Sequence, residues 1–376
     1  MRAVTRRWKV YAIAGVGAVA LTQLLAGGRT TALGDAERSY RQVNLVSDIS
    51  GVAPVPDANL VNPWGIVHGP KTPFWISDNN AGVSTLYDGT GQPFPAGSPL
   101  VVNIPPPAGG TSATPTGVVY NGTNDFVVSK GGASAPALFI FATEDGTISG
   151  WAQPVDVHNA ILEADNSTKP NAQNGAVYKG LALGSADGSN FLYATNFRSG
   201  HVDVFDSTFH QVSSFSFTDP NIPAGFAPFG IRNIDDHLYV TYAKQNAMKH
   251  DDVAGPGNGY VDVYSTEGVL KKRLISQGPL NSPWGLELAP DGFGHFSDHL
   301  LVGNFGDGHI NAFDLHSGDS DGALADEDGN PIFIGGLWGL DFGNGGAAGP
   351  TNTLFFTAGI GDEGHGLFGA LKLDTD

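Results

Sequence analysis

The chain has 376 residues, of which 41% are apolar and only 15% charged, with 53 glycines and 24 prolines. That composition suits many short strands joined by tight turns and argues against long amphipathic helices or a disordered chain. Cysteine is absent, which excludes disulfides, thiolate metal sites and cysteine nucleophiles.

Residues 1–34 read as a signal peptide. Arg2, Arg6, Arg7 and Lys9 precede the apolar run 10-VYAIAGVGAVALTQLLAG-27, and 32-ALG-34 offers small residues at a cleavage point. The paired arginines of 5-TRRWKV-10 fit part of a twin-arginine export pattern, and an uncleaved membrane anchor is the alternative, since the run approaches spanning length. The expectation is a secreted or periplasmic protein with no membrane contact after cleavage. Without the leader, 14 basic residues face 37 acidic ones, a net charge near −23. Such a surface repels nucleic acid and anionic lipid.

From residue 35 to 376 the sequence reads as one repeating domain. Related strand starts occur at 63-PWGI-66, 115-PTGV-118, 178-YKGL-181, 228-PFGI-231, 283-PWGL-286 and 337-LWGL-340. Their spacing fits four-stranded units with variable loops. Second strands are expected at 74-FWIS-77, 126-FVVS-129, 191-FLYAT-195, 238-LYVTY-242, 300-LLVG-303 and 354-LFFT-357. Third strands include 83-VSTLYD-88, 138-LFIFAT-143 and 202-VDVFD-206, and fourth strands include 100-LVVNI-104 and 332-IFIGG-336. The sixth unit lacks its fourth strand, which 41-RQVNLVS-47 can supply from the other end of the chain. The pattern therefore predicts an all-β fold: a six-bladed β-propeller of four-stranded antiparallel blades, closed by an N-terminal strand. Inner strands start near Trp64, Thr116, Lys179, Phe229, Trp284 and Trp338, each just before a glycine that lets crowded inner strands approach.

The segments 45-LVSD-48, 76-ISDNNAG-82, 143-TEDGTISGW-151, 193-YATNFRSGHVDVFD-206 and 336-GLWGLDFGN-344, taken with the NPWGI start, resemble an uncharacterised family of secreted bacterial propellers related in layout to NHL-repeat proteins. The resemblance implies the propeller fold and an export route, and it brings no established reaction.

One mouth of the channel is where chemistry is expected. Aligning the blades puts Asp78, Lys130, Asn196, Tyr242, Asn304 and Ala358 after the second strands. Asp78, Asn196 and Asn304 offer oxygen donors for Ca²⁺ or another divalent cation; alternatively, both asparagines cap their own turns. Lys130 and Lys179 are either positive charges at the mouth or solvated strand ends. Trp64, Trp284 and Trp338 either stack on a ligand or pack between blades. His250 with Asp251 and Asp252 reads as a metal- or proton-handling cluster or as a solvated loop. The insertion 152–175 can act as a lid or docking loop, and 319-DSDGALADEDGN-330 reads as a hairpin turn. No GxSxG elbow, HExxH pair or phosphate-cradling loop occurs. Two functions follow: a monomer that binds a small molecule at the mouth as a metal-assisted hydrolase, lactonase or lyase, or a non-catalytic scaffold for a small-molecule or protein ligand.

Overall fold

The computed structural model describes residues 39–374, so the expected leader lies outside the described residues. Six four-stranded sheets surround one axis. Their innermost strands are Pro63–Val67, Pro115–Tyr120, Tyr178–Ala186, Phe226–Ile234, Pro283–Leu288 and Leu337–Phe342. Neighbouring sheets bury aromatic and aliphatic side chains between them; Trp75 of blade one, for example, stacks on Phe139 of blade two. The ring closes as expected: Tyr40–Ser47 pairs antiparallel with Leu367–Leu373, the third strand of blade six. This pairing covers an edge that would otherwise expose a row of backbone donors and acceptors.

The inner glycines have a steric cause. A Cβ added to Gly230 would stand 2.0 Å from the carbonyl oxygen of Trp284 in the next blade, and one on Gly339 would stand 2.6 Å from that of Trp64 across the closure. Each inner strand is bulged beside its glycine, as in the register shift between Tyr178 and Leu181, so the glycine N–H loses its ladder partner. A second-strand threonine takes that proton. Thr195 Oγ1 accepts from Gly180 N at 2.7 Å and donates to the Phe229 carbonyl at 2.7 Å, joining blade three to blade four. Thr357 likewise accepts from Gly339 N and donates to the Trp64 carbonyl.

Three strand expectations need correction. In blade two the second and third strands are Phe139–Thr143 and Thr147–Trp151, whereas Val127–Lys130 and Ala133–Pro136 form a separate hairpin. That hairpin alternates like a blade strand because Phe126 and Val128 pack against the core beside blade two. The insertion 152–175 contains the outer strand of blade two, Ile161–Asp165, and is not a lid. In blade five the outer strand is Ser320–Ala323, inside the acidic run, and not 332–336.

Gly230→Ala should destabilise the protein by about 1–3 kcal/mol or more through backbone overlap, measured by chemical denaturation. Gly335→Ala, whose Cβ would meet only the Phe333 ring at 3.4 Å, should change stability little. Equal effects of the two substitutions would contradict the close-approach account.

Candidate functional site

Two cavities lie on the axis, separated by aromatic side chains. The lower one, about 250 Å³, is walled mainly by inner-strand glycines and aliphatic residues, with Arg232 among them. The upper one, about 360 Å³, collects charged side chains from loops of several blades.

The floor of the upper cavity comes from residues that precede the glycines. Trp64 stacks on Trp338 with ring centroids 3.5 Å apart, Phe305 stacks on Trp338 at 4.1 Å, and Trp284 meets Trp64 and Trp338 edge-on at about 6 Å. The Trp284 indole donates to the Lys179 carbonyl at 3.0 Å, and that of Trp338 donates to Asn62 Oδ1 at 3.1 Å. The indole N–H of Trp64, although buried, has no acceptor.

Lys179 stands over this floor, 2% exposed, with its ammonium 5.0 Å from the Trp64 ring centroid. It pairs with Glu144 and lies 3.7 Å from Asp251 Oδ1. The second oxygen of Glu144 accepts from Asn79 Nδ2 at 2.9 Å. His250 Nδ1 meets Asp251 Oδ1 at 2.6 Å, and this bond is the main force holding the Asp251 carboxyl below its ordinary range. Glu363 and Asp252 are shifted the other way, mainly by burial. The charges of Glu144 and Asp252 push Glu363 further up, against a hydrogen bond from Asn62 that pulls it down. Asp362 and Glu363 both have positive φ, 54° and 61°, a conformation that costs non-glycine residues energy and clusters at functional sites.

The expected site residues divide. Trp64 and Lys179 line the upper cavity, and Trp284 belongs to the aromatic layer beneath. Asp78, Asn196 and Asn304 do not share a donor point, because each is engaged within its own blade. Asp78 Oδ2 accepts from Thr85 at 2.8 Å, and burial pushes its carboxyl well up. Asn196 accepts from Val177 N and donates to Asp203, and Asn304 accepts from Asn281 N and donates to the Pro279 carbonyl. Tyr242 is buried, with its hydroxyl 2.7 Å from that of Tyr264. Lys130 lies on the separate hairpin of blade two, paired with Asp156 at 2.7 Å. The true counterpart of Asp78 in blade two is Thr143, which faces Pro115 as Asp78 faces Pro63.

The residues that do reach the mouth follow one position later: Asn79, Glu144, Phe197, Ala243, Phe305 and Gly359. Asn79, Glu144 and Phe305 line the cavity, while Phe197 and Ala243 join the aromatic cluster. A shift of one residue along a strand reverses the side-chain direction, so the sequence alignment selected the face turned into the blade. Glu144 was recoverable from 143-TEDG-146, which matches the turns 78-DNNAG-82, 196-NFRSG-200 and 304-NFGDG-308.

Removing one member of a buried ion pair costs about 3–5 kcal/mol. Lys179→Met should lower stability by an amount of that order in denaturant melts, and adding Glu144→Gln should restore part of it. A double variant as unstable as the sum of the two single ones would show that the pair is not coupled.

No family model matches the chain. Among solved structures, a virginiamycin B lyase from Staphylococcus aureus superposes with a TM-score of 0.51 at 15% identity, covering 89% of this chain and 99% of that one. The soluble aldose sugar dehydrogenase from Escherichia coli gives 0.52 at 12%, covering 89% and 100%. Such likeness shows the propeller fold alone. In sequence, the chain is 33% identical over 341 residues to an uncharacterized protein of Acanthamoeba polyphaga mimivirus, covering 88% of this chain and 79% of that protein. A second uncharacterized mimivirus protein is 32% identical over 340 residues, covering 88% and 85%. These relatives are viral, so they do not support the expected bacterial origin. At this identity and coverage the chain belongs to one family with these two mimivirus proteins.

Proposed function

We propose that the protein is an exported propeller enzyme whose upper mouth binds a small molecule and acts on it by acid–base chemistry, in a hydrolase- or lyase-type reaction. The observation that carries this reading is the meeting of oppositely shifted acids, Asp251 on one side and Glu363 and Asp252 on the other, in one cavity over an aromatic floor. Carboxyls pushed apart in this way divide the roles of acid and base. Asp251 orients His250 through Nδ1, which leaves Nε2 to take a proton from a bound molecule. Glu363, pushed up by burial, is suited to give a proton to a leaving oxygen. Lys179, fixed by Glu144, supplies positive charge for an oxygen that gains negative charge.

A divalent cation has one set of donors here, Glu144, His250 and Asp251, whose ligand atoms lie within 4.8 Å of one another. The Lys179 ammonium already contacts two of the three, so a metal would have to compete with it. The non-catalytic alternative predicts binding without turnover. Export rests on the basic, apolar leader of the sequence.

The test is a turnover screen of pooled lactones, esters and glycosides read by mass spectrometry. On any substrate found, His250→Asn and Glu363→Gln should each lower kcat/KM by about 10²-fold or more, with the fold retained by circular dichroism. Turnover that neither substitution changes would place the chemistry elsewhere, and ligand binding without turnover of any substrate would favour the scaffold.

A further inference from the structure

The upper cavity is short of positive charge. Five carboxyl side chains line it, Glu144, Asp251, Asp252, Asp362 and Glu363, against Lys179 and His250. Lys179 is spent on Glu144 and Asp251. His250 is bonded to Asp251. Asp252, Asp362 and Glu363 have no cation within ion-pair distance among the described residues. In an enclosed site this is an unbalanced negative field, which a cation entering from solvent would relieve.

Two further features narrow the class of that cation. The rings of Trp64, Trp338 and Phe305 line the same cavity, and aromatic faces attract organic ammonium groups. The Trp64 indole N–H, on a residue 3% exposed, has no acceptor. A buried donor of this kind is costly unless a partner arrives, and only a guest carrying an oxygen can provide one. A bare metal ion satisfies neither feature.

We propose that the ligand of the upper mouth is a small organic cation, an amine or quaternary ammonium compound that also carries a hydroxyl or carbonyl oxygen. The ammonium group faces Asp252, Asp362 and Glu363, and the oxygen accepts from Trp64. The proposal rests on the reading of this cavity as the ligand site. It also implies proton linkage. Asp252 and Glu363 are both pushed up by burial, so they take up protons as pH falls before ordinary carboxyls do. Cation affinity should therefore weaken from pH 7.5 to pH 5. Glu144, Lys179, His250, Asp251 and Asp362 face the same cavity. Protonation of His250 over this range would add positive charge and weaken binding in the same direction.

Calorimetric titration of the exported protein with probes matched in shape and different in charge tests this: glucosamine, glucose and glucuronate, and choline against 3,3-dimethylbutan-1-ol. At least one of the two cations should bind with a Kd of about a millimolar or tighter, at least tenfold tighter than its neutral counterpart. Glucuronate should bind least. Asp252→Asn and Glu363→Gln should each reduce the preference for the cation several-fold, and two variants guard against one that folds poorly. A neutral or anionic probe that binds as tightly as its cation would overturn the proposal while leaving the cavity as the ligand site. No binding by either cation would also overturn it. If, in addition, no substrate in the turnover screen depends on His250 or Glu363, the reading of the cavity as the site falls too.

Discussion

The contact between each inner-strand glycine and the backbone of the next blade governs the rest of the molecule. Backbone approaches backbone so closely that a single methyl at Gly230 would overlap the Trp284 carbonyl. The residue before each glycine is then held against the axis, and the loop after each second strand is drawn to the same rim. Threonines such as Thr195 and Thr357 fix the spacing, bonding a bulged glycine in one blade and a carbonyl in the next. The site is a consequence of this geometry: side chains far apart in sequence, Glu144, Lys179, His250 and Glu363, share one cavity because six narrow strands share one axis.

Within that cavity electrostatics decides the character of the site. A lysine buried over indole rings would be unstable alone, and Glu144 makes its position tenable. Once the pair is formed, the remaining carboxyls have only one another, so burial and like charge raise Glu363. The aromatic layer shuts the shaft beneath and keeps the cavity open to one side only. Acid, base, fixed positive charge and stacking surface thus occur together at one end of the axis, whereas the other cavity is mainly aliphatic and backbone wall.

The blade number, the closure by Tyr40–Ser47 and the positions of Trp64, Lys179 and Trp284 were legible in the sequence because a sixfold repeat reports its own geometry. Blade two misled where the hairpin at 127–136 copies the alternation of a blade strand, which displaced Lys130 into the ring that Thr143 occupies. The metal set Asp78, Asn196 and Asn304 was drawn from the correct turns, one residue too early. Period-two alternation leaves that choice open until the pairing partner is known. His250 and Glu363 lie in loops that differ from blade to blade, so no periodicity could mark them, and their grouping emerges only when the ring is closed.

The central claim is that Lys179 is the resident positive charge of an anionic mouth, and Mn²⁺ binding tests it most directly. Removing the ammonium by Lys179→Met or Lys179→Gln frees Glu144 and Asp251 beside His250. Either variant should bind Mn²⁺ at least tenfold more tightly than the wild type, with paramagnetic broadening of the Trp64 and Trp338 indole signals in NMR spectra. Equal affinity in wild type and variants, or broadening that spares both tryptophans, would contradict the account.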